Sequence, residues 1–355
     1  MTHPESVESR PEPISRGKTA GIDASKAEGL LHVDPTASFA FPLTVSDRAA
    51  AIALSAETLT DAGIQPADRV VVALNNDGDL GGVLVAEAAA EIATAAASVG
   101  PRGRMRLLRT LENVRANVLV GTATGLADFL ARLHLEFLVD PLDLQLRLIL
   151  LTGEITDSKK IEHLGREFGA QIVELFSDPV SGVPLAHKAQ TTAALTPTRD
   201  DLLSLVPPST PVADGDLAEL VVRYPWHSSL RDTSLRTGYL GTTDGAALAM
   251  PTHTYGDLIL IRGRWVSFAA LTKALRGIDG IAHWELRIGR QGTLDSATVF
   301  VSFNRDSLVT NGMWRGRIAQ AITAITPISI DVEIDPHIRE DATPPSIHDD
   351  RGHHL

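Results

Sequence analysis

The chain of 355 residues contains no cysteine. Disulfides, cysteine-ligated zinc and thiol nucleophiles are excluded with it, although the compartment is not fixed by that fact. Aromatic residues make up only 5%, so a core here has to be built from Ala, Leu, Val and Ile. No apolar run reaches the roughly 18 residues that a membrane-spanning helix needs. Basic stripes are missing too, and the net charge of −12 argues against a nucleic-acid partner. Residues 1–40 hold no apolar segment of the signal-peptide kind. They are rich in Glu, Ser, Pro, Lys and Arg and read as a disordered leader, which makes the cytoplasm the expected location.

What is present is a globular composition, 44% hydrophobic, long enough for one large domain and a small one. Ser46 reads as an N-cap, followed by helical spacing over Ala49–Ala62 that stops at Gly63. The run Arg69–Leu74 is β-branched and suits a buried strand. Helices are expected over Gly82–Ser98, Arg102–Val114, Gly125–Leu133 and Asp157–Phe168, alternating with strands over Asn117–Gly121, Leu146–Leu151 and Gln171–Phe176. Short strands alternating with longer helices predict a parallel α/β sheet. The Pro-, Thr- and Asp-rich stretch Thr191–Asp216 reads as loop. From Gly256 the order becomes βαββαβ, with strands at Leu258–Ile261, Ala282–Arg290, Ser296–Phe303 and Ile328–Ile334 and helices at Ser267–Arg276 and Met313–Ala324. The expected architecture is a large α/β domain over 41–255 and a small α+β domain over 256–336. A polar tail over 337–355 reads as disordered.

One phrase stands out against this background. Leu235-Arg236-Thr237-Gly238-Tyr239-Leu240-Gly241 follows the strand-like Glu219-Leu220-Val221-Val222-Arg223. Together they resemble the "G-E-L-V-V-R … L-R-T-G-D-L-G" stretch of the adenylate-forming enzymes, the superfamily of acyl-CoA ligases and synthetases. Between Phe41 and Pro336 the chain is similar to the phenylacetate-CoA ligase branch, truncated and degenerate. Ala62–Val70 resembles "A-G-V-x-P-G-D-R-V", Val118–Thr122 resembles "V-L-x-x-T-P", Leu151–Glu154 resembles "F-G-A-E", and Asp257–Gly263 resembles "D-M-L-I-I-R-G". Their order and spacing carry the resemblance more than any one of them.

The resemblance implies a reaction in which a carboxylate attacks Mg-ATP to give an acyl-adenylate, and CoA then displaces AMP. Such chemistry needs backbone amides around phosphate, a carboxylate on Mg²⁺, a ribose clamp and a cation at the reacting centre. Those groups are largely replaced. The place of the glycine-rich phosphate loop is taken by Thr36–Thr44, which has no glycine and carries Phe39 and Phe41. The "Y-G-x-S-E" segment matches Phe176-Ser177-Asp178-Pro179-Val180, so Val180 stands where the family holds Mg²⁺ with Glu. Tyr239 stands for the ribose-binding Asp, a bulkier neutral phenol and a poorer acceptor. Thr254 takes the place of the Arg before the hinge, while Asp257 matches the hinge Asp. Pro344–Arg351 offers no counterpart of the adenylating Lys. The N-terminal region of the phenylacetate branch has no counterpart ahead of Phe41.

Several residues carry two readings. Glu154 is placed by the resemblance near adenine, and by its position at a helix start as a charge complementing that terminus. Arg236 and Thr237 read either as phosphate or ribose contacts or as a retained turn. Phe176 reads as a base-stacking platform or as core, with Ser177 and Asp178 beside it. Asp257 reads as an interdomain hinge or a turn carboxylate. Asn75–Gly82 is a turn rather than a Ca²⁺ loop, since it lacks the bidentate Glu. His337, His348, His353 and His354 sit in the expected tail, and no metal site is assigned. Trp226-His227-Ser228-Ser229 places a His beside hydroxyls, which alone does not make a nucleophile.

The function expected is a ligase-like protein that has lost ATP-dependent adenylation and binds an acyl group or acyl-CoA. The alternative is a divergent acyl-CoA ligase using ATP, Mg²⁺ and CoA, or an ATP-independent biosynthetic enzyme on the same scaffold. A third reading makes the chain a structural subunit of a paralogous ligase.

Overall fold

Val70, Val72, Val118, Val120, Leu148 and Leu150 face one side of a sheet, while Val71, Leu119 and Ile149 between them face the other. That two-residue alternation, apolar on both faces, is what a parallel sheet covered by helices requires. In the computed structural model, which describes residues 12–16, 27–33, 40–75, 81–189, 194–212, 215–242, 247–305, 312–335, 338 and 346–355, the sheet has seven strands. Their spatial order is Thr196–Pro197, Pro184–Ala189, Gln171–Ser177, Leu148–Leu151, Val118–Gly121, Arg69–Val72 and Ala95–Ser98. Pairing is parallel from Gln171–Ser177 to Ala95–Ser98 and antiparallel beyond it.

One face is covered by the helices Val45–Asp61 and Gly82–Ile92, through Ala56, Leu59, Val85 and Ala89. The other is covered by Arg104–Val114, Ala123–Arg132 and Ser158–Phe168, through Leu108, Leu126, Phe129 and Leu164. Each fully buried Leu or Val contributes about 1.5–3 kcal/mol relative to exposure.

The first helix is capped by Thr44, not Ser46. The Thr44 hydroxyl accepts from Asp47 N, and Thr44 N donates to the Asp47 carboxylate, a reciprocal box. The expected helix over Gly82–Ser98 ends at Ile92, and Ala95–Ser98 is instead an edge strand. Alanine favours helix, but Thr94 N donates to Asp68 O at 2.9 Å and Thr94 Oγ1 to Pro66 O at 2.8 Å, turning the chain onto the sheet edge.

A second, mainly antiparallel sheet carries Ile14–Ser15, Ser234–Thr242, Leu217–Arg223 and Leu203–Val206 in that order, with His253–Thr254 beside Ser234–Thr242. The small domain follows. A hairpin, Leu258–Ile261 with Arg264–Ser267, precedes a four-stranded sheet ordered Asp331–Ile334, Leu294–Phe303, Ile281–Gln291 and Ser346–Asp349. The helices Phe268–Arg276 and Gly312–Thr323 pack on it through Leu271, Leu275, Ile318 and Ile322. The chain is thus a mixed α/β protein with a small α+β domain after the large one.

Two stretches expected to be disordered contribute strands. In the leader, Ile14–Ser15 pairs in parallel with Ser234–Thr242, and Leu30–Val33 forms a hairpin with Ala40–Leu43. In the tail, Ser346–Asp349 adds in parallel to Ile281–Gln291. Polar composition concealed both Ile14–Ser15 and Ser346–Asp349, because each gains its order from backbone pairing to a strand far away in sequence. Arg264–Ser267, a strand that the βαββαβ reading omits, brings Trp265 into the core. Residues 34–39, 76–80 and 337 lie outside the described residues, and with them most of the Thr36–Thr44 stretch's first half, including Phe39, the interior of the Asn75–Gly82 turn, and His337. Among the described residues no helix is long and apolar enough to cross a membrane.

Candidate functional site

Phe176 and Ser177 end the strand Gln171–Ser177, and the chain then turns through Asp178–Gly182 into Pro184–Ala189. Ser177 Oγ shares a hydrogen bond of 2.8 Å with Thr152 Oγ1. Asp178 is only 1% exposed. Its carboxylate accepts from Val180 N at 3.1 Å, Ser181 N at 2.9 Å and Ser181 Oγ at 2.5 Å. The Tyr224 hydroxyl donates to it as well, 3.1 Å from each oxygen. Burial and that carboxylate hold the Tyr224 phenol protonated, well above its ordinary range. The loop amides that could face an anion are thus occupied by a side chain of the same loop.

The Arg-Thr-Gly phrase lies in the strand Ser234–Thr242, where its register against Leu217–Arg223 shifts between Glu219 and Val221. Buried Glu219 organises this irregularity. It accepts from Arg236 Nη1 at 2.5 Å, Gly238 N at 2.9 Å and Tyr255 OH at 2.6 Å. Arg236 also donates to Pro207 O at 3.0 Å. Thr237 Oγ1 donates to Leu220 O at 2.7 Å and accepts from Tyr239 N at 3.1 Å. Gly238 sits at φ 77°, a left-handed conformation natural to glycine. The geometry engages Arg236 and Thr237 inside the sheet.

Tyr239, 6% exposed, points into the space between Phe176 and the small domain. Its ring meets Trp265 edge-on at 4.9 Å and Phe176 edge-on at 5.9 Å. Arg16 closes the same space from the N-terminal strand. Its guanidinium lies 4.5 Å from the Trp265 ring centroid and donates to Thr237 O at 3.4 Å and Pro179 O at 3.3 Å. Val180 and Phe176 belong to the same buried apolar cluster as Tyr239 and Trp265. Phe176, Val180 and Tyr239 are therefore brought together with Asp178 in the adjoining loop and Thr237 reaching Arg16 through its carbonyl, whereas Arg236 is held apart by Glu219 and Pro207.

Glu154 and Asp257 lie elsewhere, along the junction of the two domains. The Glu154 carboxylate accepts from Thr124 N at 2.7 Å and from Thr124 Oγ1, complementing the start of the helix Ala123–Arg132. Burial raises its pKa, Thr124 works against that rise, and Asp295 of the small domain adds to it. Gly263 presses on this point at φ 67°, and a Cβ there would come within 3.1 Å of Gly153 O. Asp257 begins the small domain. It accepts from Ser267 Oγ at 2.7 Å and Ala269 N at 2.6 Å, holding the start of the helix Phe268–Arg276. His227 is fully buried, its Nε2 donating to Pro42 O at 2.6 Å while Nδ1 accepts from Ser229 N and Leu230 N. Both ring nitrogens are engaged with backbone, so this histidine is structural.

The Mg-ATP implied by the family resemblance does not fit these residues. Asp178 already accepts from the loop and from Tyr224, Val180 offers no oxygen, and Tyr239, Trp265 and Arg16 fill the space beside them. Among the described residues no group of three or more His, Asp or Glu could hold a metal ion. Arg16, Glu219 and Trp265 join the site without a motif in the sequence that marks them. Arg16 lies in the supposed leader and Trp265 on the omitted strand, while the G-E-L-V-V-R resemblance passed through Glu219 without marking it as a site.

No family model matches the chain, and no curated protein matches it in sequence. Solved structures do. A 2-hydroxyisobutyryl-CoA ligase in complex with 2-HIB-AMP and CoA, in its thioesterification state, superposes with a TM-score of 0.76 at 16% identity, over 93% of this chain and 75% of that one. The fold is that of the acyl-CoA ligases. The o-succinylbenzoate CoA synthetase of Bacillus subtilis matches at 0.65 and 14% identity, over 86% of this chain and 64% of its own. The amide bond synthetase McbA of Marinactinospora thermotolerans matches at 0.65 and 15%, over 87% and 65%. Conformation matters to the first match. The same 2-hydroxyisobutyryl-CoA ligase reaches only 0.51 and 0.55 in its postadenylation state, and 0.51 in an open conformation.

Proposed function

We propose that this protein is a degenerate acyl-CoA ligase of the phenylacetate-CoA ligase-like kind. It no longer adenylates, and it serves as a binding protein for an acyl group or acyl thioester. The observation that carries the reading is the packing of Tyr239 against Trp265 and Phe176 with Arg16 over Trp265, in the space where the resemblance puts a ribose. Loss of one preorganised partner of a transition state typically costs about 3–4 kcal/mol, or roughly 10²–10³ in rate. The resemblance counts the phosphate loop, the Mg²⁺ carboxylate, the ribose Asp and the adenylating Lys as all replaced. Even with strong non-additivity, that many losses remove the reaction.

Calorimetry with Mg-ATP and a pyrophosphate-release screen over aryl and fatty acids test the proposal. No heat of binding and no pyrophosphate are expected. Micromolar Mg-ATP binding with acid-dependent pyrophosphate release would instead establish the alternative, a divergent acyl-CoA ligase. A screen of acyl-CoA thioesters by thermal shift then addresses the ligand class.

A further inference from the structure

Residues 346–355 touch both domains. Ser346–Asp349 is a strand of the small domain, in register with Glu285–Ile288. Four residues later the same segment joins the large domain: Thr254 N donates to His353 O at 2.7 Å and Leu355 N donates to Thr254 O at 3.0 Å, a parallel bridge centred on His354. Thr254 Oγ1 and His354 Nδ1 add a bond of 2.9 Å. Thr254 belongs to a strand that pairs with Tyr239 and Leu240, so this attachment reaches the second sheet of the large domain.

Arg351 anchors the crossing. Its side chain is 3% exposed, and it donates to Asp349 at 2.8 Å, to Asp295 Oδ2 at 2.6 Å and to Leu260 O at 2.9 Å. Side chains of both domains surround it. Glu154 and Lys160 of the large domain and Arg290 and Asp295 of the small one enclose, with Arg351 and His353, a cavity of about 10 Å³, roughly one water. Arg290 reaches Asp157 of the large domain at 3.5 Å. Arg351 thus fixes the segment to the small domain just before it crosses to Thr254.

We infer that residues 346–355 act as an internal staple that holds the small domain in one arrangement on the large one. The superposition supports this independently. One ligase of this fold is seen in thioesterification, postadenylation and open states, and the chain fits the first with a TM-score of 0.76 against 0.51–0.55 for the others, at lower sequence identity. The staple ties the chain to that one placement.

The chain's lack of cysteine provides the test. Lys159→Cys on the large domain and Arg315→Cys on the small one, both exposed, accept spin labels for pulsed distance measurement. The full chain is expected to show one narrow distance, unchanged by CoA or Mg-ATP. A chain ending at Gly352 removes only the large-domain attachment and leaves the strand Ser346–Asp349 in place. It is expected to broaden the distribution while circular dichroism stays unchanged, and to raise hydrogen exchange at Thr254 N at least about tenfold. Arg351→Ala in the full chain is expected to broaden it too. Two well-separated distances in the full chain, or the same narrow distance in both variants, would overturn the staple. Neither result depends on whether ATP binds, so a live ligase and a failed staple are told apart.

Discussion

Asp68 holds a charge at 2% exposure and shows how single residues set the acid limit of this protein. Burial opposes its ionisation, but Arg147, Gln65 N at 2.6 Å and Asn117 Nδ2 at 2.9 Å outweigh it, and its pKa ends below the ordinary value. Asp47 behaves alike: burial is again the largest influence and is overcome by Thr44 and by Ser228, whose N and Oγ both donate at 2.8 Å. A carboxylate whose pKa is depressed by folding stabilises fully above the unfolded value near 4 and loses that contribution as pH falls through the folded one. Denaturant titrations between about pH 5 and 2 are expected to show that loss, with Asp68→Asn flattening the acid limb at a cost of about 1–3 kcal/mol at neutral pH. At the candidate site the sign reverses. Tyr239→Asp restores the residue type of the resembled motif but buries a carboxylate between Phe176 and Trp265. It is expected to destabilise the fold by about 3 kcal/mol or more without conferring Mg-ATP binding, measured by urea unfolding and calorimetry.

Among the elements, Ser234–Thr242 carries the most sequence information and the clearest constraint. Gly238 lies at φ 77° on this strand, and its N donates to buried Glu219 at 2.9 Å. Gly238→Ala forces a side chain into the left-handed region, and about 1–3 kcal/mol of stability is expected to be lost in thermal unfolding. The parallel strands were legible because Val70–Val72, Val118–Val120 and Leu148–Leu151 are each a continuous apolar run between helices. Edge elements were not. Ala95–Ser98 has helical composition and becomes a strand where Thr94 N and Oγ1 bond Asp68 O and Pro66 O, while Ile14–Ser15 and Ser346–Asp349 are short strands whose partners are distant along the chain. The candidate site was half legible for the same reason. Phe176, Asp178, Val180 and Tyr239 sit on motif positions, whereas Arg16 and Trp265 arrive beside or on short strands that no local periodicity announces.

At the scale of the whole molecule, one buried cluster disregards the domain boundary. Leu260 and Trp265 of the small domain pack with Phe41, Leu54, Phe176, Tyr224 and Tyr239 of the large one. The remainder of the small domain has a separate core around Leu286, Ile288, Val299 and Ile318. Trp265 is thus the largest side chain that the small domain adds to the shared cluster. While that cluster is intact, the domains are expected to unfold in a single calorimetric transition, because exposing either core also exposes the shared cluster. Trp265→Ala removes the ring that Tyr239 and Arg16 pack against. A buried Trp→Ala change costs about 3–5 kcal/mol. That loss falls on the coupling between the cores more than on either core, so two transitions are expected in place of one. A single transition merely shifted to lower temperature would mean that the other junction contacts, Arg290 with Asp157 and Thr254 with His353 and Leu355, couple the domains without the aromatic cluster.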